Sequence, residues 1–240
     1  MKKQLTIFFL ILFSSIYSQQ TIKVTYETIS QPKINYNGFN VSESQKEEME
    51  RQILQESKKP KKFTLYYNDG NSFFQKVLSD NMPSEKQKTE YFRLKDKAGI
   101  YRLCDYVVDE FYGYYPMNNI SIEYTDETQT IESFNCKMAL YKIGNTVSKV
   151  WYTEDIPISA GPYNYYNLPG LVLKVESPNL LCYAVNISKN ADKKELKKMN
   201  PQLKVYEGDE LNRKNEEGKE KMMGNSRKTA DELMKTTQKK

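Results

Sequence analysis

In segment after segment between Gln20 and Ile187, apolar residues recur at every second position. That period restricts the chain to β-strands with one buried and one wetted face. Gln20 to Ile29 sets Ile22, Val24, Tyr26 and Thr28 against Lys23, Thr25 and Glu27. Lys62 onward repeats the pattern through Phe63, Leu65 and Tyr67, turns at Asn68-Asp69-Gly70-Asn71, and resumes from Phe73 to Leu78. Asp-Gly between alternating residues marks a tight hairpin. Shorter strands are expected at Tyr91 to Leu94, Gly99 to Tyr106, Val107 to Tyr112 and Asn119 to Tyr124, with a polar loop at Ser79 to Thr89.

The best-defined unit is Ile131 to Thr153. Ile143-Gly144-Asn145-Thr146 offers a two-residue turn with glycine first, as the type II′ hairpin requires. That turn places Ile143 opposite Thr146, Ala139 opposite Val150 and Met138 opposite Trp151. One face then carries Cys136, Met138, Leu140, Trp151 and Thr153, and it is expected to be the core side. A second hairpin joins Leu171 to Glu176 with Leu180 to Ile187 through Ser177-Pro178-Asn179.

One stretch breaks the period of two. Pro32 to Asn40 is turn-rich, and Ser42 with Gln45 then forms a capping box, each side chain meeting the other's orphan backbone N–H. Met49, Ile53 and Leu54 make a narrow stripe, and Pro60 follows. An amphipathic helix lying on a sheet is expected. The fold class is therefore mainly β (α+β): a curved antiparallel sheet or half-barrel with one early helix. Parallel α/β is disfavoured because crossover helices are missing.

Lys2 and Lys3, the apolar run Leu5 to Phe13 and the small exit residues to Ser18 form a Sec signal peptide at 1–18. The expected localisation is periplasmic or secreted. No later window is apolar over a spanning length, so no transmembrane segment is expected after cleavage. Residues 19–188 hold nearly all the Tyr, Phe, Ile and Val and are expected to form the β-rich domain. From Lys189, Lys, Glu and Asn dominate, which reads as a basic, charged tail over 189–240, helical or disordered. The net charge of +5 is interleaved with acids, as in Asn212 to Lys221, and with export this argues against nucleic acid as a partner.

The chain contains no histidine, which excludes Ser-His-Asp and Cys-His catalysis and histidine zinc sites. No glycine pattern suits a nucleotide phosphate, no cysteine pair has metal-ligand spacing, and neither cofactor nor metal is expected. Cys104, Cys136 and Cys182 allow one disulfide in any of three pairings. Glu154 and Asp155 flank an aromatic strand, but adjacent strand residues point to opposite faces. Cys136 is a possible nucleophile, although alternation turns its neighbour Lys137 away.

Tyrosines cluster at Tyr112, Tyr114 and Tyr115 and again at Tyr163, Tyr165 and Tyr166. The second cluster lies in the densest unusual stretch, Trp151 to Glu176. Pro157, Pro162 and Pro169 fix φ there, while Gly161 and Gly170 open turns closed to other residues. Together with Phe134 to Ala139, the stretch resembles the GLPGLI family of Bacteroidetes envelope proteins, whose motif stands here as Asn167-Leu168-Pro169-Gly170-Leu171-Val172. Asn167 replaces the first glycine and Val172 the final isoleucine. The resemblance implies a secreted or periplasmic protein and brings no established activity. By fold-level analogy alone, a curved sheet with a helix is similar to lipoprotein-carrier half-barrels.

The leading expectation is thus a non-catalytic binding or carrier protein for a lipid, peptide or envelope protein. Trp151, Pro157, Gly161, Pro162, Tyr163, Tyr165, Leu168, Pro169 and Gly170 are its binding candidates. The alternatives are a carboxylate- or thiol-dependent enzyme using Glu154, Asp155 or Cys136, and a structural accessory of an outer-membrane system.

Overall fold

The structure is a computed structural model that describes residues 21–32, 42–78, 88–106 and 109–237. The expected signal peptide, most of the turn-rich stretch 32–40, most of the loop 79–89 and the start of the strand at 107–112 lie outside them.

The protein is mainly β, with one large open sheet and two α-helices among the described residues. In chain order the strands are β1 (Ile22–Ser30), β2 (Lys61–Asn68), β3 (Asn71–Lys76), β4 (Glu90–Arg93), β5 (Gly99–Asp105), β6 (Glu110–Pro116) and β7 (Ile120–Ile131). They continue with β8 (Phe134–Ile143), β9 (Thr146–Thr153), β10 (Leu171–Ser177), β11 (Leu180–Ser188) and β12 (Val205–Tyr206). Across the sheet the order is β12-β6-β5-β4-β3-β2-β1-β11-β10-β9-β8-β7. Neighbours are antiparallel except β12, which runs parallel to β6.

The period of two becomes alternating burial in β1, where Ile22, Val24, Tyr26 and Thr28 turn inward. At the β2–β3 turn Asp69 and Gly70 both have positive φ, 46° and 82°. Those angles fit the right-handed twist of the flanking strands. At the β8–β9 turn Gly144 has φ of 56°, and Ile143 faces Thr146, Ala139 faces Val150, and Met138 faces Trp151.

The expected assignment of one core face to that hairpin needs correction. Cys136, Met138, Trp151 and Thr153 are buried, but so are Ala139, Tyr141, Ser148 and Val150 on the opposite face. The loop 154–170 packs on this second face, with Tyr165 hydroxyl 3.0 Å from Ser148 Oγ. Both faces bury side chains, the second because the chain folds its own loop against it.

Helix α1 (Glu43–Ser57) begins with the expected capping box at Ser42. It buries none of its residues: Met49, Ile53 and Leu54 are 37–41% exposed. It does not lie on the sheet as expected, because three apolar residues in fifteen make too narrow a stripe to outweigh its solvated faces.

Past Ser188 the chain keeps packing. Residues 189–204 form a strap across the sheet that leads to β12 and helix α2 (Gly208–Thr237). Ala191 N–H donates to the Thr21 carbonyl, Lys23 of β1 and Tyr66 of β2 bond to Glu195, and Lys197 reaches Gln75 of β3. Asn200 N–H then meets the Tyr112 hydroxyl of β6. Leu196, Met199 and Leu203 cover Tyr66, Phe73, Phe92, Leu103 and Tyr112. Among the described residues, no helix is long and apolar enough to cross a membrane.

Candidate functional site

The residues singled out between Trp151 and Gly170 become a plug. Trp151, Gly161, Pro162, Tyr165, Leu168 and Gly170 are buried, Tyr163 is half-buried, and only Pro157 and Pro169 face solvent. The Tyr163 ring centroid lies 4.7 Å from Phe74 and 5.5 Å from Phe63 and from Tyr91. Tyr141 hydroxyl donates to the carbonyls of Tyr166 at 2.9 Å and Asn164 at 3.2 Å. Trp151 Nε1 donates to Glu176 at 3.0 Å. The space left beside Gly161, Tyr163 and Tyr166 is about 10 Å³. That is room for about one water, not for an acyl chain.

The thiols are no better placed for chemistry. Cys104, Cys136 and Cys182 are free and buried. They lie on β5, β8 and β11, with at least two strands between any pair. Strands sit about 4.8 Å apart, so their Cα atoms stand beyond the roughly 7 Å reach of a disulfide. Burial pushes the Cys136 thiol up to about 11 and Cys182 to about 12, and it raises Cys104 as well. A nucleophile needs the thiolate, and these thiols stay protonated near neutral pH. Glu154 stands in the exposed turn after β9, paired with Lys137 at 2.8 Å, and Asp155 is exposed beside it. The structure therefore does not bring Glu154, Asp155 and Cys136 into one pocket. Among the described residues no three His, Cys, Asp or Glu side chains group as metal ligands.

Open space lies on the strapped face instead. The strap divides that face into two clefts that share Lys197. Toward the β2–β3 turn, a cleft of about 750 Å³ is lined by Asn68, Asp69, Asn71, Ser72, Arg93 and Leu94 and by Lys193, Lys194 and residues 196–199 of the strap. Toward the other end of those strands, about 450 Å³ is bordered by Lys23, Thr64, Tyr66, Gln75, Lys88 and Glu90. Ligand sites commonly occupy such volumes, with an apolar floor and a few convergent polar groups.

Glu195 anchors the strap between these clefts. Its Oε2 accepts from Lys23 Nζ at 2.6 Å and from Tyr66 hydroxyl at 2.9 Å. The Lys23 bond, with that of Tyr66, holds the carboxyl below its ordinary value. Tyr66 moves the other way, raised first by burial and then by its bond to Glu195. An ionised acceptor and a protonated phenol therefore stand side by side at neutral pH. Beside them, Lys197 Nζ lies 3.7 Å from Glu90 and donates to Gln75 at 3.3 Å. Lys23, Tyr66, Glu90, Glu195 and Lys197 were absent from the sequence-derived candidates. The available signal was Leu196, Met199 and Leu203 recurring every three or four residues in the charged stretch.

With this geometry in place, comparison with known proteins becomes informative. Residues 106–215 match the family described as N-glycanase peptide, N-terminal domain. That span runs from the threshold of β6 through the plug and strap into the first turns of α2. Two crystal forms of PNGF-II share the fold: TM-score 0.56 and 17% identity over 85% of this chain, and TM-score 0.55 and 17% identity over 82%. The chain spans about a third of their length, 33% and 32%. No curated protein matches it in sequence. The GLPGLI resemblance is thereby corrected: the family match is to an N-glycanase domain, and the short motif Asn167–Val172 spans the end of the plug and the start of β10. The carrier reading falls with it. The matched family is one of enzymes, and the sheet face that a carrier would keep open is covered by the chain's own loop.

Proposed function

We propose that this chain acts on N-glycosylated protein in the manner of an N-glycanase. The strapped face takes the glycan-bearing substrate. The observation that carries the proposal is the match of residues 106–215 to the N-glycanase N-terminal domain, because that span contains the strap, Glu195 and part of both clefts. Export through the N-terminal signal segment, expected from its residues, fits a substrate outside the cytoplasm.

Hydrolysis of the amide between glycan and asparagine needs an acceptor to orient water or the amide N–H, and a donor for developing charge. Glu195, kept ionised by Lys23, serves as the acceptor. Tyr66, whose single hydroxyl proton goes to Glu195, holds that carboxylate in place, and the remaining N–H groups of Lys23 serve as the donor. A carboxylate held below its ordinary pKa is a weak base, so its contribution is orientation through a hydrogen bond rather than full proton abstraction. This reading retains the carboxylate-dependent enzyme among the initial alternatives, with Glu195 in place of Glu154, Asp155 and Cys136.

The curved, half-barrel form of the sheet belongs to the same proposal. Tyr163 bonds to Thr28 of β1, while the Asn164 and Tyr166 carbonyls accept from Tyr141 of β8. In a flat sheet β1 and β8 stand four spacings, about 19 Å, apart. Four consecutive loop residues reach both strands if the sheet wraps around them.

The test pairs an N-glycopeptide with the same peptide lacking its glycan. The expected result is selective binding of the glycopeptide by the full chain, weakened about tenfold or more in Glu195→Gln, with conversion of the linked asparagine to aspartate followed by mass spectrometry. Equal behaviour toward the two peptides contradicts the proposal.

A further inference from the structure

The larger cleft carries a charge imbalance that the fold does not use. Lys193, Lys194, Lys197, Lys198 and Arg93 border it, against one carboxylate, Asp69. Asp69 is paired with Lys95 at 2.9 Å, and Lys197 is spent on Gln75 and Glu90. Arg93 is turned into the plug, donating to the Ser159 carbonyl at 2.6 Å with its guanidinium 4.5 Å from the Tyr166 ring centre. Lys193, Lys194 and Lys198 have no carboxylate partner among the described residues. Elsewhere on the same face Lys23 is neutralised by Glu195 at 2.6 Å and Lys88 by Glu110 at 2.8 Å.

These three ammonium groups sit on a rigid support. Asp192 caps the short 3-10 turn Lys193–Glu195 by accepting from Lys194 N–H, while Leu196 and Met199 pin the strap to the sheet. Between them the cleft presents Leu94, Leu196 and Met199, with Asn68, Asn71 and Ser72 at the turn end. An apolar floor suits the C–H face of a pyranose, and the Ser72 hydroxyl suits one of its hydroxyl groups. The surplus positive charge suits an anion.

We propose that this cleft takes an anionic saccharide, a glycan bearing carboxylate groups, with Lys193, Lys194 and Lys198 meeting its charge. The inference rests on the glycoprotein reading above and sharpens its substrate class. Steering by unpaired lysines at a solvated cleft is screened by salt, and that gives it a signature.

The full chain is titrated calorimetrically with a sialylated biantennary N-glycopeptide and with the same glycopeptide after sialidase treatment. The acidic form is expected to bind about tenfold tighter at low salt, the combined effect of several exposed ion pairs. That margin shrinks in high salt and vanishes in the triple variant Lys193→Gln, Lys194→Gln, Lys198→Gln, whose circular dichroism stays that of the parent because all three side chains are exposed. Equal affinity for the two glycopeptides overturns the inference while leaving the glycoprotein reading intact. An undiminished margin in the triple variant overturns the placement in this cleft. Failure of the chain to bind either glycopeptide overturns both.

Discussion

At the scale of residues, the plug depends on glycines for closeness rather than for unusual φ. A Cβ on Gly161 would overlap the Tyr165 carbonyl oxygen, and one on Gly170 the Thr153 carbonyl oxygen. Neither neighbour is a flexible side-chain end. Gly161→Ala and Gly170→Ala are each expected to cost at least about 2 kcal/mol in denaturant unfolding. Asn167 has φ of 66°, a left-handed conformation that asparagine tolerates. Asn167→Gly is therefore expected to change stability by less than about 1 kcal/mol. The thiols offer a second residue-level check. With Cys136 raised to about 11 and Cys182 to about 12, both stay protonated at pH 8. Native protein is expected to react slowly with a thiol reagent, and all three cysteines rapidly once unfolded. Fast labelling of the folded chain would refute their burial.

At the scale of elements, legibility tracks how many neighbours decide a side chain's position. The β8–β9 register follows from one glycine turn, so Ala139 opposite Val150 was readable from sequence. Which face meets the plug was not, because that depends on a loop whose path local periodicity does not encode. α1 shows the opposite failure: its cap is local and correctly read, while its docking is non-local and absent. The strap escaped notice because its three apolar anchors are diluted by lysines, a composition that usually reads as tail. Yet those anchors cover Phe73, Phe92 and Tyr112. Removing residues 189–240 is expected to expose that surface, raising dye binding and lowering the melting temperature; an unchanged melting temperature would show the strap to be dispensable. Glu195 adds a pH signature. Its folded pKa lies below the ordinary 4.5, so the unfolded state binds more protons in acid. Its stabilisation is fully present above pH 4.5 and lost as pH falls through the folded value. Glu195→Gln is expected to flatten that part of the acid stability profile.

At the scale of the whole molecule, the sheet and its mainly β class were legible because period-two alternation repeats in nearly every strand. The functional surface was not. Proline, glycine and tyrosine mark the segment 151–170 as unusual, and the same composition builds either a recognition loop or an interior plug. Only the tertiary arrangement separates the two, since it places Tyr163 against Phe63 and Phe74 and leaves open space under the strap. The central claim is that the strapped face takes an N-glycan. Its most direct test is backbone hydrogen exchange of the full chain with and without a saturating N-glycopeptide. The account predicts new protection in residues 189–204 and around 68–72 and 92–94, with the plug at 154–170 already slow and unchanged. Protection confined to other surfaces, or none at all, would contradict it.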